Sequence, residues 1–95
     1  MQHGTVSTNP ADVRLLTTDL PLQGERVSFS WMVWSGEWDT VSYAVTDLQK
    51  VAALDNADAV IGIRIVSQVR YRVHMISDNE YEPRYTAYGT AVTYG

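Results

Sequence analysis

Residues 59–76 read AVIGIRIVSQVRYRVHMI, and this stretch decides the fold. Ile61, Ile63, Ile65, Val69, Tyr71, Val73 and Met75 fall on one side of an alternating pattern, with Ser67 as its one break. Val60, Gly62, Arg64, Val66, Gln68, Arg70, Arg72 and His74 fall on the other. Alternation with period two is the mark of a β-strand with one face buried. A strand over all of residues 59–76 would run ~60 Å at ~3.3 Å per residue.

The segment before it supplies the only helix. Asp39 or Thr40 suits an N-cap, where a side-chain oxygen accepts from the first free backbone amides. Val41, Ala44, Val45, Leu48, Val51 and Ala52 then recur at three- and four-residue steps as one apolar stripe, and Ser42, Thr46, Gln49, Lys50 and Ala53 lie largely off it. Asp55-Asn56 gives the stop, since Asn tolerates the left-handed conformation. Such a helix has about 15 residues and is ~22 Å long.

The two lengths do not match. A ~22 Å helix covers about seven strand residues, and Ile61, Ile63 and Ile65 are enough to occupy it. Val69, Tyr71, Val73 and Met75 are left on a projecting hairpin. Exposing four such side chains forfeits roughly 6–10 kcal/mol, a large amount for a fold of ordinary stability. Two readings follow. Either a neighbouring subunit covers the hairpin, which is the favoured one, or the strand breaks at Ser67-Gln68 and folds back on its own domain.

Other elements fall around this pair. Residues 1–11 are small and polar and read as a flexible arm; residues 12–95 form one domain. Val13 to Thr18 suggests a short strand, and residues 19–24, with Pro21 and Gly24, a turn. Arg26 to Trp34 alternates, with Val27, Phe29, Trp31 and Val33 on a core face and Ser28, Ser30, Met32 and Trp34 on the other. Residues 77–80 form a polar turn with Glu82-Pro83 behind it, and Arg84 to Tyr94 returns antiparallel, with Gly89 near Gly62 for a close approach or a bulge. The expected class is α+β, with one helix on an antiparallel sheet.

Composition narrows the function. The chain of 95 residues carries net charge -4 and no cysteine. A mildly acidic domain is a poor nucleic-acid or anionic-membrane binder. Without Cys there are no disulfides and no thiolate metal sites. The N-terminus lacks a basic segment followed by an apolar run, and no stretch approaches the ~20 apolar residues of a membrane span. The default expectation is a cytoplasmic protein.

Several segments carry a family likeness. Residues 56–63, NADAVIGI, resemble the G-A-D-A-V-x-G-x signature of the YbjQ-like family, often labelled heavy-metal-binding. Thr17-Thr18 and the strand from Gly24 to Gly36 resemble its opening strands, with Val33-Trp34-Ser35-Gly36-Glu37 in the place of a V-x-G-E-like step, and Tyr88-Gly89-Thr90-Ala91-Val92 resembles its closing S-G-T-A-V-like strand. The likeness spans Val13 to Tyr94. It departs at Asn56, where a Gly is usual, and between Gly36 and the helix, where many members have a glycine-rich insertion. The resemblance implies a dodecin-like β-α-β-β unit, with extra short N-terminal strands, assembling as a ring-shaped homopentamer.

Four kinds of chemistry can be weighed on these residues. A metal cluster would draw on His74, Asp78, Glu80 and Glu82 near the hairpin turn, although Arg70 and Arg72 beside it repel a cation and the plainer reading is a solvated turn. A basic row, Arg64, Arg70, Arg72 and His74, would suit a small anionic ligand, or would pair across subunits with acids such as Glu25, Glu37, Asp47, Glu80 or Glu82. Trp34 and Trp38, with Trp31, could wall a flat aromatic ligand between subunits, the plainer alternative being packing. No catalytic motif is present: no G-x-S-x-G, no phosphate loop and no H-E-x-x-H. The expectation is therefore a homo-oligomer rather than an enzyme, joined through Met32, Trp34, Val69, Tyr71, Val73, Met75 and Tyr85, with any cofactor left open.

Overall fold

The computed structural model describes residues 8–18, 25–72 and 80–95, and side chains over all of these except Tyr71, Arg72 and Glu80. A single 3-10 turn, Pro10–Asp12, leads into β1 (Arg14–Leu15), β2 (Val27–Trp34), α1 (Val41–Leu54), β3 (Ala59–Arg72) and β4 (Glu80–Tyr94). The sheet order is β1-β3-β4-β2. β4 is antiparallel to both β2 and β3, while β1 is parallel to β3. The sheet is therefore mixed, not wholly antiparallel as expected; β1 and β3 lie side by side with the rest of the domain connecting them.

The helix ends follow local chemistry. Thr40 Oγ1 accepts from the Tyr43 backbone N–H at 3.1 Å, which settles the N-cap in favour of Thr40. At the other end Asn56 has φ 61, the left-handed residue that lets the chain turn back toward β3. Ala44, Leu48, Ala52 and Ala53 are the buried residues of α1. Ala53, placed off the stripe by periodicity, is thus in the core, where it packs beside Ala57. Nearer the N-terminus, the Thr8 backbone N–H and hydroxyl both donate to Asn56 Oδ1, so residues 8–12 dock against the helix end; residues 1–7 of the arm lie outside the described set.

Two β-bulges reset which side chains face the helix. On β3, Ile61 is opposite Thr90 but Arg64 is opposite Tyr88, so β3 gains one residue there, and Gly62 takes φ 64. An extra residue inverts the alternation on either side of it. Val60 and Ile63 consequently share the helix face, whereas Ile61 turns to the opposite face with Ala59 and Val92. The expectation that Ile61, Ile63 and Ile65 line up beneath the helix is corrected accordingly. A second register shift between Val27 and Phe29 turns Val27 to the same opposite cluster. Phe29 keeps the helix-face parity but lies 72% exposed, because it sits beside the helix end rather than beneath it, so it is not the core residue its alternation suggested.

Two small cores result. The main one joins α1 to Val33, Val60, Ile63, Ala87 and Ala91. The other lies on the open face, where Leu16 and Val27, the two ends of the β1–β2 connection, pack against Ala59, Ile61 and Val92.

Beyond the helix the sheet continues as two strands. β3 runs unbroken through Ser67-Gln68 to Arg72, paired with β4 back to Glu80, so the folded-back alternative does not occur. Pro83 is taken into β4 opposite Val69. Its missing N–H falls on the side beyond the end of β2, where no ladder donor is required. The radius of gyration is 16.6 Å and the long axis 58 Å; a compact 95-residue domain would have a radius of ~12 Å. Ile65, Val66, Val69 and Tyr81 on this arm are all exposed.

Candidate functional site

The arm and the free edge of β2 hold nearly all the described side chains singled out by sequence. On the open face of the sheet, Arg64 lies beside Tyr88, Gln68 beside Arg84 and Arg70 beside Glu82, and the backbone of Arg72 pairs with that of Glu80. The basic row is therefore real as a strand face, but acids stand across from it. Arg70 also donates to Glu37 Oε1 at 2.7 Å, with both side chains well exposed. Arg64 donates to the Thr17 carbonyl at 2.9 Å and to its neighbour Ile63. Glu82 accepts from Arg84 at 2.9 Å. This is a laced surface of pairs, each worth ~0–1 kcal/mol when exposed, and Arg70 finds its acid within its own chain.

Of the metal candidates, His74 and Asp78 lie outside the described residues, and only the backbone of Glu80 is placed. Glu82 is engaged with Arg84. Among the described residues no three His, Cys, Asp or Glu side chains gather as a metal site.

The three tryptophans separate. Trp38 forms an isolated bridge with Tyr85 on the arm: its backbone N–H donates to the Tyr85 carbonyl at 2.9 Å, and its carbonyl accepts from the Tyr85 N–H at 2.7 Å. Its indole Nε1 donates to Asp47 Oδ2 at 3.0 Å, and its ring lies 6.0 Å from Tyr43. Tyr85, expected at the subunit joint, is half-buried and packs against the main core of its own chain. Asp47 also accepts from the Gly36 backbone N–H at 2.8 Å. One helix carboxylate thus pins the loop from β2 to α1, a role that sequence alone did not single out. Asp47→Ala is expected to cost roughly 1.5–3 kcal/mol, as for hydrogen bonds to a charged acceptor, and to shift Trp38 fluorescence; an unchanged urea midpoint would contradict this.

Trp31 and Trp34 both line a groove of about 260 Å³ with Met32, Val33, Val51 and Asp55. A wider one of about 520 Å³ continues along Phe29, Ser30, Trp31, Asp55 and Thr93. Together they follow the outer edge of β2 beside the second half of α1. Met32 and Trp34 are 57% and 63% exposed. Trp31 Nε1 is buried with no partner among the described residues. The groove is apolar, aromatic and open along a strand edge, which suits an extended segment or a flat ring more than an ion.

Of the remaining candidates for a subunit joint, Val69 is 67% exposed and points to the helix side of the arm. Tyr71 holds the corresponding backbone position opposite Tyr81. Val73 and Met75 lie outside the described residues. Among the described residues no helix is long and apolar enough to cross a membrane. Comparison with family models, with curated proteins and with solved structures finds no match.

Proposed function

We propose that this chain works as a homo-oligomeric ring, a pentamer as the YbjQ-like resemblance implies, serving as a scaffold or ligand-binding module. One observation carries the reading: β3 and β4 run past the helix as an arm on whose helix side Ile65 and Val69 lie exposed among the described residues. Exposed apolar surface that is contiguous and rimmed by charge is the usual mark of a protein interface. A domain this small also gains more from association than a large one, because it buries a smaller fraction of its chain alone.

Light scattering on the purified protein tests this directly. The expected mass is a multiple of 10.7 kDa, and a single-chain mass at micromolar concentration would sink it. Mass spectrometry under native conditions reports in the same run any small molecule or metal that stays bound, which discriminates a ligand-binding ring from a bare scaffold and from the metal binder of the family label.

A further inference from the structure

We infer that the copies join strand to strand: the outer edge of β2 in one copy pairs, in parallel, with the outer edge of β3 in the next. The inference rests on the oligomeric reading above and specifies the surfaces that meet.

Backbone direction identifies the two edges. Ser35 N–H donates to the Ala87 carbonyl at 2.8 Å, and Ala87 N–H donates to Ser35 Oγ at 2.9 Å. Ala87 therefore turns its backbone groups toward β2. In an antiparallel ladder such groups alternate residue by residue. On β2, Phe29, Trp31 and Val33 face β4, which leaves the N–H and C=O groups of Ser30, Met32 and Trp34 pointing outward. On β3, Ile65 is opposite Ala87 and Ser67 opposite Tyr85, whose backbone groups face Trp38. The N–H and C=O groups of Ile65, Ser67 and Val69 thus also point outward, past Leu16 to Thr18, the last of the described residues that contact β3 from the β1 side. Among the described residues nothing pairs with either edge.

The β2 edge is not protected. The sequence VSFSWMVW of β2 contains no charge and no proline, the two usual guards against edge pairing. Its eight residues are close in length to the free part of β3, from Ile65 to Arg72. The same two edges carry six exposed large apolar side chains: Phe29, Met32 and Trp34 on one, Ile65, Val66 and Val69 on the other. One contact covers both sets. A second copy is the occupant that satisfies both edges of every chain at once.

Parity selects the direction. The outward residues of β2 carry their side chains on the open face, with Thr90, whereas those of β3 carry theirs on the helix face, with Ala87. Antiparallel pairing would set the two outward sets directly opposite each other and place successive helices on opposite sides of the sheet. In parallel pairing each outward residue sits beside one that points away. Met32 then neighbours Val66 or Gln68 on the open face, and the β2 groove receives Ile65 and Val69 on the helix face. All copies point the same way, as head-to-tail ring closure by rotation requires.

Proline at Ser30 tests the joint. Its N–H points away from the chain's own sheet, so Ser30→Pro removes an intermolecular donor and no internal one, and proline is tolerated on such an edge. The expected result is a mass of 10.7 kDa by light scattering with the far-UV circular dichroism of the parent. Met32→Lys, which places a charge on the same edge, is expected to do likewise and decides the matter if Ser30→Pro does not fold. An assembly of unchanged size in a folded variant overturns the strand joint while leaving the oligomer standing. A parent protein that runs as a dimer also overturns it, pointing to two β2 edges meeting each other. A parent protein that is itself a single chain removes the oligomeric reading altogether.

Discussion

Leu48→Ala is expected to lower the unfolding free energy by about 4 kcal/mol, near the top of the range for Leu→Ala in a core. Leu48 is fully buried at the middle of α1 and is the largest of the fully buried side chains, with Val60 and Val92. Its surroundings explain the high figure. Ala44, Ala52, Ala53, Ala57, Ala87 and Ala91 make up much of the same cluster. Alanines bring helix and sheet close together, but they have no rotamers with which to refill a hole. Closing the cavity would require the helix backbone to move, against its Thr40 cap and its left-handed Asn56 end. A domain of this length has ~5–14 kcal/mol in all, and each kcal/mol is worth ~4–8 °C in Tm. A melting point lowered by less than about 5 °C would mean that the site collapses, and that the alanine frame is softer than its geometry implies.

Gly89→Ala is the second large effect, expected to cost about 3 kcal/mol, as overpacking of a tight interior does. A Cβ there would meet Val60 Cγ1 at 2.8 Å and the Ile61 carbonyl oxygen at 2.9 Å. Val60 is fully buried and pressed beneath the helix, so it has no room to retreat. The Ile61 carbonyl belongs to the backbone beside the Gly62 bulge and is fixed by it. Replacing a strand glycine ordinarily stabilises by ~0.5–1 kcal/mol through chain entropy, which is the smaller term here. The double variant with Val60→Ala separates the two contacts: partial recovery relative to the sum of the single changes assigns the strain to the side chain, and none assigns it to the carbonyl. A Gly89→Ala protein with a raised Tm would contradict the close approach.

Features set by short-range chemistry were legible in the sequence. Thr40 and Asn56 bound the helix because capping and left-handed geometry depend on one or two residues. The long strand was legible because its alternation extends over many residues. A close approach or a bulge was expected where Gly89 meets Gly62, and both occur there. The inverted facing was not legible, because it is a property of two strands in register, and nothing at Ser28 marked the second bulge. The error the two bulges caused was specific, moving Ile61 and Val27 off the helix side. Alternation had already set Trp31 and Trp34 on opposite faces of β2, and the two meet at its outer edge. The loop held by Asp47 carries Trp38 away from them to Tyr85, which sequence did not reveal. The acid for Arg70 was on the list of candidates, but choosing Glu37 required the fold of that same loop. The groove along β2 was invisible in sequence, since it depends on which strand lies at the edge.

The bulge at Gly62 divides one strand into two reading frames. Below it even-numbered residues face the helix; above it odd-numbered ones do. The projecting part can therefore be rewritten on its surface without disturbing the buried lower part. Its length is more restricted. Adding one residue to each strand of the arm would exchange the arginine row with Ile65, Ser67 and Val69 beyond the insertion, whereas adding two preserves every facing. The reach of the arm is thus adjustable only in steps of ~6.6 Å, two strand residues at a time.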